Sequence, residues 1–245
     1  MQQVAERLAA CGLPPIFNFV DDSFGPFDRL EALADELGRR RMSVAFACEM
    51  RLAALIGQPQ LAKRLEHLHN AGLTRVFFGV ESLNANTLAR WRKPYDVAAL
   101  PQVLAAFRSS GIEVQAGYIM WHAEQTVEGA LAEVIRLQEL GIYNHKAALS
   151  RLIVFPGCAL AQKSTDTAGF QSLGAREEAF YRQFAAQTAE LTRAWTQAAV
   201  AEPYALAIAH LSGEEGRLTE LRNVHDEINE QSYQLFLKMV KEMCS

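Results

Sequence analysis

"QLAKRLEHLHNAGLTRVFFGVES" occupies Gln60–Ser82 and sets out one structural unit. Residues 60–72 read as a helix closed by Gly72, at the position where a positive φ is favoured. "TRVFFGV" (74–80) is a short, nearly all-apolar strand, as expected for a strand covered on both faces. It ends abruptly in Glu81-Ser82. The same unit recurs on either side. Ile16–Val20 and "SVAFAC" (43–48) read as strands, with a helix between them over 27–40. A further helix runs from Asp96 to Ser110 and closes on Gly111. "IEVQAGYIM" (112–120) follows as a strand, then a helix over 126–140 closed by Gly141. "ALSRLIVF" (148–155) reads as a fifth strand, stopped by Pro156-Gly157. Strand, helix and glycine alternate roughly every 30 residues, the signature of βαβ units. Right-handed crossovers then imply a parallel sheet or barrel.

Beyond Pro156 the pattern changes. "AREEAFYRQFAAQTAELTRAWTQAAV" reads as one long amphipathic helix, and a second runs from about Glu214 to Met243. The expected organisation is a barrel-like part over 1–165 and a helical C-terminal region over 166–245. The fold class is α/β, an incomplete (β/α) TIM-type barrel of about five parallel strands with a C-terminal helical appendage.

The 245 residues are 50% hydrophobic, enough for one large core or a domain with an appendage. Net charge is −4, with no basic stripe, which argues against nucleic acid as a partner. "MQQVAERLAACGLPP" has no long apolar core, and no apolar stretch is long enough to span a membrane. Four well-separated cysteines, Cys11, Cys48, Cys158 and Cys244, form no C-x-x-C pair or local metal motif. They read as reduced thiols of a cytoplasmic protein.

Chemistry-bearing residues gather where each strand stops. They are Asp21-Asp22, Glu49 with Arg51, Glu81-Ser82, His122 with Glu124, and Arg151. Sites of parallel α/β folds lie beyond the carboxyl ends of the strands. A single such residue is explained by burial ending there; five strand ends together point to a site.

The segments "FVDDSFG", "GVES", "RWRKPYDVAALPQVLAAFRSSGIEVQAGYIMWHAEQTVEGA" and "LSRLIVFPGCAL" resemble, in order and spacing, the core of radical S-adenosylmethionine enzymes. The similarity is to the branch that often carries an N-terminal cobalamin-binding domain, and it covers about residues 4–160. It implies a partial barrel of about six βα units with S-adenosylmethionine lying across the strand ends. In active members an iron–sulfur cluster cleaves that cofactor to a 5′-deoxyadenosyl radical. The resemblance places Asp21 and Asp22 near the cofactor's methionine ammonium, where carboxylates are the natural partners. It places Glu81 and Ser82 near the ribose or methionyl part, and Gly117, Ile119 and Glu124 beside the adenine. Trp121 stands at the second Gly of the family's fifth-strand motif, where some relatives carry an aromatic; stacking on adenine and a steric block are both open. His122, Lys93 and Arg151 are candidate substrate contacts in the same cleft, for a small-molecule or peptide substrate.

The resemblance also implies a Cys-x-x-x-Cys-x-x-Cys loop after a first strand, since such clusters take thiolate ligands. This sequence has no such motif. The expectation is therefore a chain truncated before that loop, without the cobalamin domain, whose [4Fe-4S] ligands come from elsewhere if a cluster is present. No metal site of its own and no catalytic residue is assigned, and the isolated chain is expected not to cleave S-adenosylmethionine reductively. Strand Ile16–Val20 would then present an unpaired apolar edge, to be covered by a protein partner, a second copy or the C-terminal helices. The alternatives are a catalytically silent relative acting as a partner or scaffold and, more weakly, an unrelated barrel enzyme. The latter would use a metal near His122, Glu124 and His145 or a Schiff-base lysine at Lys93. His67 and His69 sit two apart on a helix and do not share a face.

Overall fold

A computed structural model describes residues 1–20, 24–93, 95–157 and 169–244. Asp21, Asp22 and Cys158 lie outside the described residues. So does residue 165, the expected boundary between the two parts.

The element order is α1 (Gln2–Ala10), β1 (Ile16–Phe19), α2 (Phe27–Arg39), β2 (Ala45–Met50), α3 (Leu61–Asn70), β3 (Leu73–Glu81) and α4 (Ala85–Arg90). It continues with α5 (Leu100–Ser110), β4 (Glu113–Tyr118), α6 (Val127–Glu139), α7 (His145–Leu149), β5 (Ile153–Val154) and β6 (Gly169–Phe170). Three helices close the chain: α8 (Ala175–Gln187), α9 (Ala189–Ser212) and α10 (Gly216–Cys244). One sheet has the order β1-β2-β3-β4, with β1–β2 and β2–β3 parallel. Strands that neighbour in space in the order they occur in sequence, joined through helices, show the winding of a (β/α) barrel.

The chain forms two compact units, one of residues 1–80, 89–117 and 199–223, the other of 81–88, 118–198 and 224–245. In the first, β2 and β3 bury Phe46, Cys48, Met50, Val76, Phe78 and Val80. The helical faces expected from sequence supply the covering layer: Leu30, Ala34 and Leu37 of α2, Leu61, Leu65 and Leu68 of α3, and Leu100, Val103, Leu104 and Phe107 of α5. Arg64 joins α3 to α2, bonding Glu31 at 2.5 and 2.7 Å and Asp28 at 2.8 Å while its guanidinium lies over Phe27.

Gly72 turns α3 into β3 at φ +111°, and a Cβ there would lie 2.1 Å from the Val44 carbonyl oxygen. Only glycine fits, because both the dihedral and the space exclude a side chain. Gly117 has a different role: its missing Cβ would stand 2.7 Å from the Phe77 ring, so glycine lets that ring pack across β4.

The second unit is largely helical. α6 buries Val127, Ala130, Glu133, Val134 and Leu137. Trp121, Phe180, Phe184 and Phe236 are fully buried, with ring centroids 5.0 to 6.4 Å apart between neighbours.

Two expectations are corrected. Residues 148–155 do not form one strand. Asn144 caps a helix, its side chain accepting from the Ala147 amide at 2.8 Å, and Ala147 and Ala148 pack inside it. Parallel pairing is reduced to a bridge between Trp121 and Arg151. The remainder, β5, pairs antiparallel with β6. The helix expected over 175–200 is also two helices. Thr188 ends α8, its hydroxyl donating to the Phe184 carbonyl at 2.8 Å, a local bond that competes with the helical ladder.

Candidate functional site

Within the second unit the strand ends follow in order. The Ile119 amide donates to the Glu81 carbonyl at 2.8 Å. The Trp121 amide donates to Ser150, and the Leu152 amide returns to Trp121. Backbone bonds therefore run from Glu81 to Ile119 and from Trp121 to the segment around Arg151, which meets Trp121 in an isolated parallel bridge. Glu81 has φ +62°, a left-handed conformation that is uncommon for a side-chain-bearing residue. Both Glu81 and Ile119 are half-buried.

Ser82 is fully buried. Its hydroxyl donates to Glu133 Oε1 at 3.0 Å and accepts from the Asn84 amide at 3.0 Å. Gln125 Nε2 donates to Glu133 Oε2 at 3.1 Å. The Tyr118 hydroxyl accepts from the Leu83 amide at 3.1 Å and interacts with the Glu133 carboxyl. Burial pushes the Glu133 carboxyl above its usual range, against the opposing pull of these three groups. The Tyr118 phenol is raised as well, first by burial and then by the Glu133 charge. Sequence reading passed over Glu133, although it lies with Ala130, Val134 and Leu137 on the inward face of α6.

Trp121 has no exposed surface. Its indole N–H donates to the Ala148 carbonyl at 2.8 Å, and its ring lies 5.7 Å from Phe180, 6.1 Å from Tyr181 and 6.4 Å from Phe236. His122 is buried, with Nδ1 3.1 Å from Glu124 Oε2, and the Glu124 side chain is half exposed. A carboxylate only accepts, so this contact places a proton on Nδ1. Arg151 bonds the Gln171 carbonyl at 2.9 Å and pairs with Glu178 at 3.2 Å. Its guanidinium sits over Tyr181 and Phe170, while its Nε is buried without a hydrogen-bond partner among the described residues. Gly117 and Lys93 belong to the first unit, and Lys93 is half-buried.

A second buried polar chain lies in the same unit. His145 is 1% exposed, with Nδ1 2.9 Å from Ser232 Oγ and Nε2 2.8 Å from Thr192 Oγ1. Thr192 donates its hydroxyl to the Thr188 carbonyl at 3.0 Å, so it accepts from His145, and Nε2 carries the proton. Nδ1 then accepts from Ser232, whose oxygen accepts from Tyr143 at 2.9 Å. Every proton in this chain is assigned by donor arithmetic. Burial lowers the His145 pKa to about 4.

The two described thiols, Cys11 and Cys48, do not fit an iron–sulfur cluster. Cys48 is buried inside β2, and burial pushes it up to about 12, which disfavours the thiolate a cluster needs. Cys11 is exposed just beyond α1. Among the described residues no group of three or more His, Cys, Asp or Glu side chains is placed to hold a metal ion. No described helix is long and apolar enough to cross a membrane.

No protein-family model matches the chain, and no curated protein matches it in sequence. Solved structures do match. The cobalamin-dependent S-adenosylmethionine radical enzyme OxsB, solved with aqua-cobalamin and S-adenosylmethionine bound, aligns with a TM-score of 0.64 at 11% identity. The alignment covers 99% of this chain and 49% of OxsB. Coproporphyrinogen III oxidase (HemN) from Escherichia coli, a radical SAM enzyme, aligns with a TM-score of 0.51 at 19% identity. That alignment covers 78% of this chain and 44% of HemN. The fold is thus one that radical S-adenosylmethionine enzymes carry, and the chain spans about half the length of OxsB.

Proposed function

We propose that this chain is a radical-SAM-like core that binds S-adenosylmethionine, or a related ligand, at the carboxyl ends of its strands. The observation that carries the reading is the backbone match to OxsB over 99% of the chain, with Glu81 closing β3. Glu81 and Glu124 would supply polar contacts and the Ile119 backbone the adenine edge, with Gly117 keeping β4 close-packed. Asp21 and Asp22 would meet the cationic ammonium. Ser82 and Trp121 would act from behind, as walls of the cleft, because their polar atoms are already engaged with Glu133 and Ala148. His122, Lys93 and Arg151 remain the candidates for substrate contacts. The ligand, when bound, supplies the reactive sulfonium group; this chain's part is to bind and orient it.

The sequence carries no Cys-x-x-x-Cys-x-x-Cys motif and the described thiols, Cys11 and Cys48, do not suit a cluster, so cluster ligands would come from polypeptide outside these 245 residues, in a split or truncated radical enzyme. The outer edge of β1, a terminal strand of its sheet, is the natural place for a further strand. A partner polypeptide or a second copy would supply it, and Val20 beside it is 78% exposed. The buried Cys48 thiol and the enclosed Trp121 ring favour a second reading, a catalytically silent relative acting as a scaffold.

Calorimetry separates the two. Under the first reading the folded chain binds S-adenosylmethionine, and Glu81→Ala or Glu124→Ala weakens binding by roughly tenfold, the scale of one lost charge-assisted bond. Absence of binding by the folded chain supports the scaffold reading. Anaerobic treatment with iron and sulfide should give neither a charge-transfer absorbance band nor 5′-deoxyadenosine; either product would overturn the cluster assignment.

A further inference from the structure

We propose that Glu133 is a positioning residue: its carboxylate fixes the turn after β3 and so presents Glu81 toward the ligand. The functional half of this inference rests on the S-adenosylmethionine reading above. Two donors bond Glu133, Ser82 just after β3 and Gln125 just before α6, and the Tyr118 hydroxyl at the end of β4 interacts with the same carboxyl. A carboxylate has no proton to give when ionised, so it takes the single hydroxyl proton of Ser82 and favours the Tyr118 proton turned toward it. Both hydroxyl oxygens are thereby turned to accept. They receive the next two backbone amides of the turn, Leu83 N on Tyr118 at 3.1 Å and Asn84 N on Ser82 at 3.0 Å.

The turn continues into α4 through Asn84, whose side chain accepts from the Asn86 and Thr87 amides at 2.9 and 3.2 Å. At its other end Glu81 is held at φ +62°, with its carbonyl bonded to the Ile119 amide. A left-handed residue persists where its surroundings over-determine it. Here the over-determination comes through Glu133: removing it frees both hydroxyls to rotate, and the amides of Leu83 and Asn84 lose their oriented acceptors. An apolar residue at this inward position of α6 would pack but would orient nothing. Glu133 touches neither the ligand nor a reacting atom; it acts through Ser82 and Tyr118.

Amide hydrogen exchange and calorimetry on Glu133→Ala, Glu133→Gln and Val134→Ala test this. Val134 is fully buried on the same helix, so its truncation controls for loss of packing alone. Glu133→Ala is expected to speed exchange at Leu83 and Asn84 by about tenfold or more relative to α6 amides, as expected when an oriented acceptor is lost. It should also weaken S-adenosylmethionine binding by a comparable factor at temperatures where the variant stays folded. Glu133→Gln, which keeps one acceptor oxygen, should fall between it and the natural chain. Val134→Ala should lower global stability while leaving both readouts unchanged. Equal behaviour of Glu133→Ala and Val134→Ala overturns the inference. Should the natural chain bind no S-adenosylmethionine, the functional reading fails by itself, and the exchange rates at Leu83 and Asn84 still decide whether Glu133 positions the turn.

Discussion

Trp121→Ala is expected to lower unfolding free energy by about 3–5 kcal/mol, the range for truncating a large aromatic in a packed core. The ring has no exposed surface and lies among Phe180, Tyr181 and Phe236. Truncation leaves a cavity that these rings cannot all relax to fill, and it takes a donor from the Ala148 carbonyl. Trp121→Phe keeps most of the volume and loses only the N–H, so its cost should be nearer 1–2 kcal/mol. Urea unfolding followed by far-ultraviolet dichroism measures both. A shift below about 1 kcal/mol for Trp121→Ala would show that the residue is not a core element. It would return adenine stacking as the role of the ring.

Acidification should unfold this protein through His145. Its pKa is about 4 when folded, against an ordinary value of 6.5. A depressed folded pKa means that the unfolded chain takes up the proton first. The contribution is therefore fully present above about pH 6.5 and is lost progressively as pH falls toward 4. The difference corresponds to a contribution on the order of 3 kcal/mol. The physical cause is burial, and the hydrogen-bond chain agrees with it: Ser232 already points its proton at Nδ1, so a second proton there has no acceptor. In His145→Gln this titration is absent. The variant should be less stable than the natural chain at pH 7.5 but lose less stability between pH 6.5 and 4.5. Parallel pH profiles for the two proteins would rule out the assignment. His210, lowered by burial and by its neighbour His69, adds to the acid sensitivity of both proteins and cancels in the comparison.

The winding of the fold was readable from local signals. Gly72, Gly111 and Gly141 each close a helix at positive φ, and apolar runs mark β1 to β4 between helices of regular period. These signals are local because backbone dihedrals and side-chain periodicity are local properties. The stretch 148–155 shows where they fail. An apolar run can be a buried helix turn or a buried strand, and here the Asn144 cap tips it into α7. The break at Thr188 escaped for a similar reason, since a threonine inside a helical pattern announces neither a stop nor a continuation.

The candidate site divides along the same line. The acids at the strand ends, Glu81 and Glu124 among them, were visible because a strand that stops in a charge marks the limit of burial. What those residues touch was not visible. Ser82 and Glu133 are 51 residues apart, and nothing in either segment names the other. Trp121 could be read from sequence as a stacking platform or as a block; only packing against α8 and α10 shows that its ring is enclosed and its N–H engaged. His145 likewise read as a spare ligand for His122 and Glu124, whereas its two nitrogens are held by Thr192 and Ser232. By itself the sequence determined the α/β winding, the order of the strand ends and the missing cysteine motif. The tertiary structure decided which polar groups are satisfied inside, because a buried donor or acceptor is paid for by partners that the chain brings together only when it folds.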